Sequence, residues 1–295
     1  MSAKIDPSLA DDAGEVCEFR ASDGQLLKYR HWRTDGNPRA YVIALHGIQS
    51  HSGWYGYSSK SLAAAGIDVR FLDRRGAGLN DHDPGHVANA RRLFDDVTEF
   101  ARDLDELRSN DEATIPIYLL GLSWGARLAS TVCARHPGLF DGLILLYPGI
   151  YTQIQPSTLQ RIALQLTRTL GAGTRRVPVP LDKSQFTTDP QWQQFIMNDP
   201  LATREVSVSF LLESESLART AVKGLKWLAL PRLVMLAGQD DIVDRRSTDQ
   251  LLSRMPPKQL SLIEYPEARH TLDFEPCRDQ FVRDLIHWIE FVKPS

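Results

Sequence analysis

The sequence predicts an α/β protein: a mostly parallel central sheet flanked by helices, interrupted late in the chain by an inserted helical cap. Three observations predict it. Short apolar runs alternate with helical stretches along most of the chain. The runs are apolar on both faces, as strands covered on both sides are. One stretch, beginning near residue 150, breaks the alternation.

Residues 16–21 and 25–32 read as antiparallel strands around the turn Ser22-Asp23-Gly24. Apolar strands are then predicted at 41–45, 67–72, 115–120, 143–147, 233–237 and 260–264. The last helix repeats Phe281, Val282, Leu285, Ile286, Trp288 and Ile289 at helical spacing and is expected to pack on the sheet. Between Ile150 and Trp227 no strand of the parallel sheet is predicted. An amphipathic helix there presents Leu159, Ile162, Ala163, Leu166 and Leu170 on one face. A Gly/Pro-rich connector follows, then more helical sequence up to Leu225. The expected organisation is a core over residues 1–149, a helical cap over 150–228 and a resumed core over 229–295. The cap is expected over the C-terminal ends of the strands, where open α/β sheets bind ligands.

A chain of 295 residues buries enough surface to need no staple. The net charge of −3 and the lack of a long basic run exclude a nucleic-acid-binding face. Cys17, Cys133 and Cys277 form no C-x-x-C pair, so neither a disulfide framework nor a zinc site is expected. The acidic residues Asp6, Asp11, Asp12 and Glu15 and the missing apolar segment argue against a signal peptide. No run approaches a membrane span, and a cytoplasmic protein without stable membrane insertion is expected.

Gly121-Leu122-Ser123-Trp124-Gly125 carries the chemistry. It follows an apolar strand and precedes the helical run from Ala126 to Arg135, the setting of a nucleophile elbow. A serine hydroxyl keeps its proton at neutral pH and needs a base that is itself oriented by a third group. In an α/β-hydrolase fold these follow in the order Ser, Asp or Glu, His. Asp240 follows the strand ending at Ala237, and His270 follows the last strand, so both are expected at the same sheet edge as Ser123. Asp241 and Asp244 remain alternative carboxylates, expected otherwise to form turns or caps. Backbone amides of Ile48, in His46-Gly47-Ile48, and of Trp124 are expected to form an oxyanion hole. His46 is read as holding its loop. Arg74-Arg75-Gly76-Ala77-Gly78-Leu79-Asn80 lacks the third glycine of a dinucleotide fingerprint, that position being Asp81. No cofactor is expected, and no metal-ligand spacing is present.

Taken in order, His46-Gly47, Asp73-Arg74-Arg75-Gly76, Gly121-x-Ser123-x-Gly125, Gly238-x-Asp240-x-Ile242-Val243-Asp244 and Arg269-His270-Thr271 resemble the serine-hydrolase branch that contains monoacylglycerol lipases and lysophospholipases. The stretch from His46 to Tyr55 is similar to that branch's oxyanion loop. The acid motif departs from the commoner G-x-x-D spacing, which Asp241 would satisfy, while D-x-I-V favours Asp240. The resemblance implies hydrolysis of a small ester, such as an acyl-glycerol or lysolipid, through an acyl-enzyme. Leu159, Ile162, Leu166, Phe186, Trp192, Phe195 and Phe210 are expected to line an acyl pocket. A peptidase, thioesterase or C–C hydrolase using the same residues, and a non-catalytic binding protein on this scaffold, stay open as alternatives.

Overall fold

The computed structural model describes residues 13–108 and 115–292. Most of the acidic N-terminal stretch lies outside them.

Ten strands are present among the described residues: β1 (Glu15–Arg20), β2 (Leu26–Trp32), β3 (Ala40–Leu45), β4 (Ile67–Leu72), β5 (Ile117–Leu122), β6 (Gly142–Leu146), β7 (Arg176–Pro178), β8 (Glu205–Ser207), β9 (Arg232–Ala237) and β10 (Leu260–Tyr265). Eight form one sheet in the order β1-β2-β4-β3-β5-β6-β9-β10. The pairings β1–β2 and β2–β4 are antiparallel, and those from β4 onward are parallel. Every residue of β3, β5, β6 and β9 is buried.

Alternate side chains feed two cores, as the two-residue period of a strand requires. Ile43, Leu119, Leu145 and Val234 face one core with Leu93, Val97 and Phe100 of α2 (Ala90–Arg108, which follows α1, Gly56–Ala64) and Leu128 and Val132 of α3 (Gly125–Arg135). Val42, Tyr118, Ile144 and Met235 face the other, with Leu62 of α1 and the Phe281, Leu285 and Ile289 stripe of the final helix, Arg278–Phe291. This is the α/β-hydrolase fold the sequence predicts.

Between β6 and β9 the chain forms α4 (Thr158–Thr167), α5 (Lys183–Phe186), α6 (Pro190–Asn198) and α7 (Val208–Leu225), with β7 and β8 paired antiparallel among them. The remaining helices are α8 (Arg245–Leu252) and α9 (Arg278–Phe291). A capping box between Ser157 and Gln160 starts α4, and positive φ at Gly171 marks the kink beyond its end. Helix α7 packs on α3 so closely that a Cβ at Gly224 would overlap Ala134. Helix α4 contains no buried residue: Leu159 is 79% and Leu170, just beyond it, 83% exposed. No helix among the described residues is long and apolar enough to cross a membrane.

Candidate active site

Strand β5 ends in a turn that the local sequence makes possible. Ser123 has φ of +50°, one of three positive values at non-glycine residues among those described, the others being Asp83 and Tyr147. Such a conformation costs on the order of 1–3 kcal/mol and persists only where surroundings impose it. They do so here through Ser123 N–H to Leu146 O (3.0 Å) and the amides of Ala126 and Gly149 on Ser123 O (3.0 and 2.9 Å). A Cβ at Gly121 would lie 2.7 Å from Gly125 O, and one at Gly125 would overlap Leu45 O. Both elbow positions therefore require glycine. The turn lifts the Ser123 hydroxyl beside the N-terminus of α3, whose unpaired amides favour negative charge.

Three side chains distant in sequence meet there. His270 Nε2 lies 2.8 Å from Ser123 Oγ, and His270 Nδ1 lies 2.7 Å from Asp240 Oδ2. The other oxygen of Asp240 accepts from the amides of Ile242 (2.8 Å) and Val243 (3.0 Å). Burial alone would raise the Asp240 pKa, but the neighbouring His270 and these two amides outweigh it and hold the carboxyl below its ordinary value. Asp241 turns outward to pair with Arg269, and Asp244 caps α8 through the Ser247 amide (3.0 Å). Of the three carboxylates, only Asp240 is placed on the imidazole. The ring is held edge-on by Tyr147 and Phe186, with centroids 4.8 and 5.9 Å away.

The loop after β3 lies beside Ser123, whose Cβ would be 3.4 Å from a Cβ at Gly47. The Gly47 amide donates to Ser50 Oγ (3.0 Å). The amides of Ile48 and Trp124 have no hydrogen-bond partner among the described residues, and both residues border the cavity beside Ser123. His46 accepts from the Arg74 amide at Nε2 (3.0 Å), which leaves Nδ1–H to donate to Gly47 O (2.8 Å). Burial and the Arg74 charge hold its pKa well below the ordinary histidine value, so the ring is neutral and holds the loop.

The sequence reading gave Arg74 and Arg127 no part in this site. Arg74 donates to Gly47 O (2.8 Å) and Ile48 O (2.7 Å) and lies over Trp124 and Phe210, fixing the carbonyls so that the following amides face elsewhere. Burial lowers its pKa to about 9, and it remains charged at neutral pH. Arg127 donates to Gly149 O (2.6 Å) and Ser214 Oγ (2.9 Å), tying α3 to α7. The signal available for Arg74 was its position directly after an apolar strand, at the sheet edge where Ser123 also emerges.

A cavity of about 1000 Å³ opens at Ser123. Its apolar wall includes Ile150, Leu164, Val179, Leu211, Val222 and Ile242. The seven residues expected to line it do not. Leu159, Ile162 and Leu166 face solvent on α4. Phe186 and Phe210 are buried against His270 and Trp124, while Trp192 and Phe195 pack on Phe274. The four aromatic side chains among those seven fill the support beneath the cavity, and its apolar surface is mostly aliphatic, with Trp124 and Tyr151 as the aromatic members.

A hydrogen-bonded Ser-His-Asp set at the C-terminal edge of a mostly parallel sheet, under an inserted helical segment, defines a hydrolase of the α/β-hydrolase fold. The family model described as serine aminopeptidase, S33 (Hydrolase_4) matches residues 36–277, and the chain belongs to that family. It is 26% identical over 273 residues to a monoacylglycerol lipase of Mycolicibacterium smegmatis, covering 92% of this chain and 95% of that protein. It is 25% identical over 259 residues to human monoglyceride lipase, covering 86% and 82% respectively. Among solved structures, a soluble variant of monoglyceride lipase from Saccharomyces cerevisiae, crystallised with a substrate analog, superposes with a TM-score of 0.82 at 20% identity, covering 94% and 95% of the chains.

Proposed function

We propose that this protein cleaves carboxylic esters of apolar acyl chains, of the acyl-glycerol or lysolipid kind, through a covalent acyl-enzyme. The observation that carries the reading is the 2.8 Å and 2.7 Å relay from Ser123 through His270 to Asp240 at the end of a largely apolar cavity. Ser123 Oγ attacks the ester carbonyl while His270 Nε2 takes its proton, and Asp240 stabilises the imidazolium. The amides of Ile48 and Trp124 hold the oxyanion, each contributing a few kcal/mol to the transition state. Collapse expels the alcohol, which leaves with the proton from His270. Water then attacks the acyl-enzyme with His270 as base, releasing the acid and restoring Ser123.

The monoacylglycerol and monoglyceride lipases among the relatives support an ester substrate. An aminopeptidase reading finds less support, because recognition of a free α-amino group needs an anionic partner. The only carboxylate on the cavity wall among the described residues is Glu215, already shared by Arg161 (3.0 Å) and Arg219 (3.8 Å). Cys17, Cys133 and Cys277 are unpaired, which favours a reducing compartment and so the cytoplasm.

The test is labelling with a fluorophosphonate together with turnover of p-nitrophenyl esters and aminoacyl anilides. The wild type is expected to label and to prefer the esters. Ser123→Ala is expected to lose labelling and at least about 10³-fold in kcat, as removal of a nucleophile does elsewhere. Equal labelling of both proteins would defeat the reading, and preference for anilides would defeat the ester assignment.

A further inference from the structure

The charge on the cavity wall is one-sided. Six cations border it (Arg127, Arg161, Arg175, Arg219, Lys223 and Lys226), against the single carboxylate Glu215, in a chain whose net charge is −3. Three of these cations are already committed to protein acceptors: Arg127 donates to Gly149 O and Ser214 Oγ, and Arg161 and Arg219 both pair with Glu215. Lys223 and Lys226 have no carboxylate partner among the described residues. Several arginines elsewhere do, as Arg92 with Asp96 and Glu99, or Arg245 with Asp249 and Glu264.

The position of the two lysines follows from α7. Val208, Leu211, Ser214, Glu215, Ala218, Arg219, Val222 and Lys223 recur every three or four residues, so a single face of the helix forms the wall, and Lys226 extends it by a turn. Ser214 marks the catalytic end, because its hydroxyl accepts from the Trp124 indole at 2.6 Å, next to Ser123. Contacts of α7 with α3 then run outward, from Arg127 and Ser214 to Thr131 and Leu217 and on to Ala134 and Gly224. Lys223 and Lys226 lie nine and twelve residues beyond Ser214, or roughly 13 and 18 Å along the axis at the rise of an α-helix. Apolar Ala218 and Val222 lie along the intervening wall, beside the paired Glu215 and Arg219.

An apolar passage that leads from the nucleophile to uncompensated ammonium groups suits a ligand that is apolar near its ester and anionic at its far end. We infer that the arm of the cavity along α7 is an anion-terminated chain subsite. Lys223 and Lys226, supported by Arg219, receive a carboxylate or phosphate at the end of the substrate chain remote from the scissile bond. This inference rests on the ester-hydrolase reading of Ser123 and narrows its substrate class.

The experiment compares p-nitrophenyl dodecanoate with the mono-p-nitrophenyl ester of dodecanedioic acid, which differ only in a terminal carboxylate. Both are assayed on the wild type and on the double variant Lys223→Ser/Lys226→Ser, at low and at high salt. The readout is the ratio of kcat/KM for the carboxylate-ended ester to that for the methyl-ended one. That ratio is expected to fall roughly tenfold in the double variant, the size of one or two partly exposed ion pairs. In the wild type it is also expected to fall with added salt, and much less so in the variant. A ratio unchanged by the substitutions would overturn the inference while leaving ester hydrolysis intact. No turnover of either ester by the wild type would instead count against the ester-hydrolase reading itself. An ω-phosphate version of the same ester distinguishes the two anions, the preferred one showing the larger lysine-dependent ratio.

Discussion

Helices α4 and α7 belong to the same inserted segment, and both carry apolar side chains at helical spacing. In α7, Val208, Phe210, Leu212, Leu217, Ala221 and Leu225 are buried. In α4 no residue is, and Leu159 and Leu166 face solvent. The two differ in what lies beneath them. Helix α7 rests on α3, where small residues at Gly224, Ala134 and Ser130 allow close approach and where Trp124 and Arg127 reach across to Ser214. Helix α4 is held at its polar edge, through Arg161 to Glu215, and Arg168 just past its end pairs with Glu213 (2.7 Å). An apolar stripe states that a face has something to gain from burial. Whether it is buried depends on a second surface that the helix does not encode.

The first way to break this contrast is to remove a large side chain from α7. Phe210 stacks on Trp124 at 5.2 Å and lies beneath Arg74, so it supports the loop carrying Gly47 and Ile48 from the far side. Phe210→Ala is expected to cost about 3–5 kcal/mol by urea unfolding, as for other buried phenylalanines. A cost below about 1 kcal/mol would show that the inserted segment is not part of the core.

The same contrast, between groups that find a partner and groups that do not, sharpens among buried acids. Asp240 is met by an imidazole and two amides, and its pKa is lowered despite burial. Asp273, fully enclosed, receives the Ser58 amide at 3.3 Å on one oxygen and nothing on the other among the described residues. Burial pushes its pKa up to about 6. A carboxyl with a raised folded pKa destabilises the fold in its charged form. That penalty is absent below the unfolded value near 3.8, grows through the interval and is complete above about 6. Asp273→Asn removes the titration. Its stability relative to wild type is therefore expected to rise by about 2 kcal/mol between pH 4 and pH 7, as measured by unfolding at each pH. A difference that stays flat across that range would mean that the carboxyl is solvated.

What the sequence made legible follows the same division. The meeting of Ser123 with His270 was readable because each stands at the end of a strand whose apolar run is a local signal. The fold was readable for that reason too. The choice among Asp240, Asp241 and Asp244 was only leaned upon by D-x-I-V, since all three lie within five residues and their directions depend on the turn. Strand β5 was read two residues early, because Gly121 looks like the end of a strand and is in fact its interior, kept small for α3. The cavity lining was read wrongly for the reason α4 and α7 illustrate. Phe186, Trp192, Phe195 and Phe210 have the chemistry of a pocket wall, but partners distant in sequence, Trp54, Phe274 and Trp124, enclose them first.

The smallest expected effect tests the other half of the comparison. If the stripe of α4 meets only water, then Leu159→Ser with Leu170→Ser removes no packing, because these side chains are 79% and 83% exposed. The pair is expected to change unfolding free energy by no more than about 0.5 kcal/mol, the range of surface substitutions. The same chemical change in α7, Leu212→Ser or Leu217→Ser, exchanges a buried apolar group for a hydroxyl and is expected to cost several times more. Should the α4 pair cost as much as either α7 change, α4 must be packed against a surface in solution, and its burial would then be set from outside the chain's own fold.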